Sequence, residues 1–299
     1  MKNLVVVVLV SLLGLAGCSG FINKQAADST YRILAKSNDV ARTMADVQLA
    51  RESLPGGIMQ LAAFSLAYPE HRGFKEMHRE SLCSYTVGFV FDDWEDAQLG
   101  GRSAEATKLA ERLQKLLGMC VEANLALAPK DWRAARNTPA WDGVIAKATK
   151  AQQRKLLWIA STDAVALALS PLANLARLPQ ITAALAKSIV LEPGFHDSDA
   201  EILLGSLEAG RSQFFGGPDG SARFAAARTQ LGAGSLLVDV MTARGTAVAK
   251  KDRALFETLL RKVLETDLTQ WPEKRLANEL ARLKAARYLA AIETLIPPP

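Results

Sequence analysis

Three histidines and three cysteines in 299 residues leave little for metal or nucleophile chemistry. His71, His78 and His196 form no H-E-x-x-H, and no cysteine stands at metal-ligand spacing from a histidine. His71 and His78 could share a helix face, but two ligands do not close a zinc site. G-x-S-x-G, P-loop and G-x-G-x-x-G patterns are all lacking. Stretches of β-branched alternation are few and aromatics make up only 6% of the chain, which excludes a large sheet. The excess of positive charge, +5, is spread along the chain without a basic cluster interleaved with aromatics, so nucleic acid is not an expected partner. No metal, cofactor or catalytic residue is expected, and the chain does not read as an enzyme.

Two further groups of residues were weighed for chemistry. Asp92, Asp93, Glu95 and Asp96 are the densest acidic cluster, but their spacing is not that of a calcium loop. They read as a solvated turn with helix-capping acids. Arg51-Glu52-Ser53 ahead of Ile58-Met59-Gln60 follows the order of a lytic transglycosylase site, with Glu52 as general acid. The interval from Glu52 to Gln60 is far too short for that fold. His196 sits in a turn between helices and reads as exposed.

What is abundant is Ala and Leu, the strong helix formers. The expected fold is all-α, an α-solenoid or helical bundle of degenerate tetratricopeptide-like helix pairs. Helices are expected over about 30–50, 52–67, 72–92, 103–128, 145–170, 178–191, 196–213, 221–231, 235–249, 252–267 and 272–295. Short connections carrying Pro or Gly imply antiparallel pairs. Helix ends at 185–193 and 259–267 resemble one another across two units of 37 residues, close to the tetratricopeptide period. Leu204-Gly205 and Phe224-x-x-Ala227 resemble the packing positions of that motif's two helices. Such an array buries each unit against its neighbours and curves into a concave binding face.

The N-terminus fixes the expected compartment. Lys2 is followed by an apolar run from Leu4 to Ala16, broken only by Ser11 and Gly14. It is short of the roughly 20 residues that a membrane span needs and fits a secretory signal. Leu15-Ala16-Gly17-Cys18 resembles the bacterial lipobox, which makes Cys18 the lipid-attachment residue. The expected organisation is a signal peptide at 1–17, a lipid-anchored tether at 18–28 and a single helical repeat domain at 29–299. Ser19 after the acylated cysteine leans towards the outer membrane, so the expected location is the periplasm, anchored through the N-terminal lipid.

Cys83 and Cys120 remain in the mature chain. If the hairpin that carries them turns between about 91 and 103, a rise of about 1.5 Å per residue leaves them roughly 13 Å apart in height. A disulfide needs Cα atoms about 4.4–6.8 Å apart. Two buried free thiols are therefore expected.

Several stretches together carry the pattern of one family. They are Ala50-Arg51-Glu52-Ser53-Leu54-Pro55, Tyr68-Pro69-Glu70, Ser84-Tyr85 leading to Phe89, Leu157-Trp158, Leu178-Pro179 and Leu191-Glu192-Pro193-Gly194-Phe195. The most specific are Lys251-Asp252-Arg253-Ala254-Leu255-Phe256-Glu257 with Leu259-Leu260, and Arg275-Leu276-Ala277-Asn278-Glu279-Leu280-Ala281. They resemble the T component of TRAP (tripartite ATP-independent periplasmic) transporters, and the resemblance spans about residues 45–292. Ala160 departs from it, where the family tends to have Gly.

It implies a lipoprotein scaffold that binds the transporter's periplasmic solute-binding protein and aids uptake of an organic solute, hydrophobic or carboxylated. Homo-oligomers are compatible with it. It carries over no catalytic residue and leaves the partner-binding residues unknown. Tyr85, Phe89 and Trp158 are expected in the core, with Arg275 and Asn278 capping or bridging helices. The alternative is a tetratricopeptide lipoprotein for outer-membrane or pilus assembly.

Overall fold

The computed structural model describes residues 24–37 and 39–298, and among these the chain is helical with no strand. Cys18 and the signal-like run lie outside the described residues. Residues 24–28, expected in the tether, are helical: Ala27 is buried and Asp28 pairs with His71 at 3.1 Å. Residues 24–37 and 39–42 precede α1, Val47–Ala67, whose start is capped by Asp46 accepting from the Leu49 amide at 2.9 Å. The break near residue 51 expected from the sequence thus falls at residues 43–46.

His71 is the N-cap of α2, Arg72–Tyr85, its Nδ1 accepting from the Phe74 amide at 3.3 Å. A π-helical turn, Thr86–Val90, carries α2 without interruption into α3, Phe91–Leu99. The chain then reverses at Gly100 and Gly101 into α4, Ser103–Leu127. Two short helices follow, α5 at Lys130–Ala135 and α6 at Ala140–Lys147, before α7 at Gln153–Leu169 and α8 at Leu178–Leu191. The remaining helices are α9, Phe195–Phe215; α10, Ser221–Leu231; α11, Leu236–Thr242; α12, Arg253–Glu265; and α13, Arg275–Ala290. A second π turn, Ala243–Ala247, extends α11. Successive helices pack as antiparallel neighbours: α1 on α2, α7 on α8, α9 on α10, α12 on α13.

Helix α7 is the structural axis. Leu156 to Val165 are buried without a break, so this helix is covered on all sides, as an apolar helix in the centre of a bundle must be. Ile159, Leu156 and Leu157 anchor the largest core cluster with Leu185, Ile181, Trp132 and Trp141. Ala160, the departure from the family pattern, is buried there too. The last long helix returns to the start of the domain: α13 packs on α1, and its Leu276 and Leu280 join the core of Tyr85, Phe89 and Leu113. The first and last long helices thus share one core.

The hairpin of α2, α3 and α4 overturns the expectation for the cysteines. Cys83 and Cys120 form a disulfide with Cα atoms 5.3 Å apart. The π turn keeps α2 and α3 one rod as far as Leu99, so the reversal lies at Gly100, not near Phe91. Cys83 precedes Gly100 by the same number of residues by which Cys120 follows Ser103, which places them level. The acidic cluster is moved by the same error. Asp92 lies inside a helix and is buried, where a solvated turn was expected.

Candidate functional site

The second half of the first rod carries Phe91 and Trp94, whose rings stack 5.5 Å apart. They face α7, α9 and the second π turn across a pocket of about 430 Å³. Its walls are Trp94 and Leu99 from α3, Val165 from α7, Leu203 and Leu207 from α9, and Met241 from α11. Gly245 of the π turn also lines it, and the first π turn ends just before Phe91. Such local i→i+5 turns recur at functional sites because they re-aim the side chains beside them.

Only two charged side chains reach this apolar space, Glu95 and Arg244. Glu95 is held from the other side. It accepts from Tyr288 Oη at 2.7 Å and pairs with Lys284 Nζ at 3.2 Å, both on α13. Burial alone would raise the Glu95 carboxyl, but Lys284, the Tyr288 hydroxyl, Arg244 and Arg287 outweigh it and hold the pKa below the ordinary value. Burial likewise opposes the charge on Lys284, yet the facing carboxylates raise its pKa. Asp92 completes the network, with Lys284 Nζ at 2.5 Å and Arg287 Nη2 at 2.6 Å. Its carboxyl, pushed up by burial, is brought below the ordinary value by those two cations. Asp93 stands apart: burial raises its pKa, helped by the neighbouring Asp92, although Arg51 lies 2.9 Å away.

Arg244 is the unsaturated member. Its Nε is buried without a hydrogen-bond partner and lies 4.0 Å from Glu95 Oε1, and the guanidinium sits 5.9 Å from the centre of the Tyr288 ring. The pocket therefore combines an apolar body with one incompletely satisfied cation beside a carboxylate.

Of the residues weighed for chemistry from the sequence, Glu95 lines this pocket and Asp92 joins its ion network, while Glu52 and the histidines fall elsewhere. Glu52 is exposed on α1 and bonded to Gln48 at 2.6 Å, outside any cleft with a second acid. His78 is half-buried, and burial lowers its pKa. Among the described residues no group of three or more His, Cys, Asp or Glu could hold a metal ion. His196 is not the exposed turn residue that was expected. It lies between Glu80 and Asp199, at 2.7 and 2.6 Å, with its ring edge-on to Trp158. The backbone there is left-handed at His196, Asp197 and Ser198, with φ of 50°, 54° and 59°. Non-glycine residues bear that only when surrounding contacts hold them, as Glu80 holds His196.

Asn278 does bridge: it accepts from the Leu236 amide at 3.2 Å and donates to the Gly234 carbonyl at 3.1 Å. Arg275 pairs with Glu279 one turn on. Tyr85, Phe89 and Trp158 are buried, as expected of core residues. The residues that sequence reasoning missed are Trp94, Arg244, Lys284 and Arg287, and Glu95 was read only as a capping acid. The one signal for them was the acidic run on α3, which needed basic residues at helical spacing elsewhere; Lys284 and Arg287 supply it.

Over residues 43–295 the chain matches the family of TRAP transporter T-components. The chain belongs to this family. No curated protein matches it. Membership gives this T-component a role with TRAP transporters, in transport and not in catalysis, and a periplasmic or membrane-associated location. Among the described residues no helix is long and apolar enough to cross a membrane.

Proposed function

We propose that this T-component is a lipid-anchored periplasmic scaffold that binds the solute-binding protein of a TRAP-type transporter and aids uptake of an organic solute. Cys18 carries the lipid, and Ser19 directs the protein to the outer membrane. Anchoring raises the local concentration of a bound partner without any new contact between them. The family match over residues 43–295 carries this reading. The pocket between Trp94 and Met241 adds to it, because an apolar space with Arg244 at its wall suits a solute with an acid group and an apolar body. The Cys83–Cys120 disulfide agrees with an oxidising compartment such as the periplasm.

An affinity pull-down with the purified mature protein, from a periplasmic extract of its own host, tests the proposal. Recovery of a TRAP-type solute-binding protein supports it. Recovery of outer-membrane or pilus assembly proteins in its place moves the chain to the alternative, an assembly lipoprotein.

A further inference from the structure

Helix α7 has a second face with different chemistry. Ala164, Val165 and Ala168 look into the apolar pocket, whereas Thr162, Asp163, Ala166 and Leu169 line a separate cleft of about 570 Å³. At about 3.6 residues per turn these two sets fall on opposite sides of the helix. Asp163 forms the floor of the cleft and is only 6% exposed.

Two arginines converge on one oxygen of that carboxylate. Arg136 Nη2 lies 2.5 Å from Asp163 Oδ1, and Arg177 Nη2 lies 2.7 Å from the same atom. At the rim Arg133 pairs with Glu122 at 2.5 Å. Three guanidinium groups thus face two carboxylates, and one positive charge is left over. The Arg136 side chain is 9% exposed, stacked 5.7 Å over Trp141, and its Nε is buried with no hydrogen-bond partner. A guanidinium has five N–H donors in a planar fork and no means of losing its charge. Two such forks sharing a single acceptor oxygen are far from saturated.

We propose that this cleft is a carboxylate-binding site for a small organic acid, whose acid group is taken by the N–H groups of Arg136 and Arg177 that Asp163 leaves free. Asp163 is the resident counter-ion that keeps two like charges together when the cleft is empty. Leu117, Val121 and Leu169 supply apolar walls for the rest of the molecule. The volume lies within the range of about 300–1,000 Å³ usual for small-molecule sites. The inference stands apart from the transport reading and from the pocket on the other face of α7.

Isothermal titration of the mature protein with benzoate, and with methyl benzoate as the uncharged control, tests it. Benzoate is expected to bind saturably in the cleft and more weakly as salt rises, while the ester does not bind there. Arg177→Gln removes one charge-assisted partner and is expected to weaken benzoate at least about tenfold. Arg177→Lys keeps the charge without the fork and falls between. Asp163→Asn removes the competing carboxylate and tightens binding. Far-ultraviolet circular dichroism and melting curves confirm that each variant is folded, and if Arg177→Gln does not fold, Arg177→Lys carries the test. Absence of saturable benzoate binding, or unchanged affinity in a folded Arg177 variant, overturns the proposal.

Discussion

The Phe224 ring lies against the backbone of Gly205, so close that a Cβ at residue 205 would stand 3.1 Å from it and 3.0 Å from Arg223 Cβ. Gly245 meets the same ring from the second π turn, where a Cβ would lie 3.0 Å away. Phe224 thus joins α9, α10 and the π turn through two glycines that allow close approach. Gly205→Leu overpacks this junction and is expected to destabilise the fold by about 1–3 kcal/mol. A thermal melt reads this directly, and an unchanged midpoint contradicts the placement.

The disulfide links α2 to α4 across 37 residues of chain. Loss of such a cross-link costs about 2–4 kcal/mol, through the greater freedom of the unfolded chain in the entropic account. Cys83→Ser and Cys120→Ser are expected to lower the melting point alike, and the double variant no further. Thiol titration in denaturant should find neither cysteine free until reductant is added.

Glu80 and His196 set a pH dependence. Burial would raise the Glu80 carboxyl, but the His196 hydrogen bond and the charges of Arg79, His196 and Arg154 bring it down to about 2. Burial would lower the His196 pKa, but Asp199 and Glu80 raise it to about 10. A carboxyl with a depressed pKa contributes stability above its unfolded value, lost as pH falls towards 2. A histidine with a raised pKa contributes fully below about 6.5 and loses that contribution as pH climbs through 10. The pair therefore supports the fold most between about pH 4.5 and 6.5. His196→Gln should remove the part of the alkaline decline in stability that falls between about pH 6.5 and 10. An identical slope for the two proteins in denaturant melts over that range contradicts the assignment.

Asp92 is buried among Lys284, Arg287 and, at 4.0 Å, Arg51. Removing one partner from a buried network leaves uncompensated charge, which costs about 3–5 kcal/mol. Asp92→Ala is expected to lower stability by that order, and by more than Asp93→Ala, whose side chain is more exposed. Equal, small effects at both positions would show that α13 is not held to α3 through this carboxylate.

Cys18→Ser tests the proposed lipid anchor. Acyl burial contributes about 0.8 kcal/mol per CH₂, so a chain without the acylated cysteine should move from the membrane to the soluble fraction on cell fractionation. Retention in the membrane pellet after a salt wash would locate the attachment elsewhere.

The sequence by itself determined the helical class, the family and most helix positions, because each rests on local properties: Ala and Leu content, apolar spacing, and Pro and Gly at the breaks. Leu204-Gly205 and Phe224-x-x-Ala227 were legible as packing partners for the same reason, and Asn278 as a bridge. Cys83 and Cys120 were misread because a π turn leaves little trace in residue pattern, yet it moved the reversal from near Phe91 to Gly100 and brought the thiols level. The ion network, the apolar pocket and the Asp163 cleft were decided by tertiary structure alone. Each depends on residues far apart in the chain, Glu95 with Lys284, His196 with Glu80, Arg136 with Asp163. A carboxylate reads the same in sequence whether water or a buried guanidinium faces it, and only the folded chain settles which.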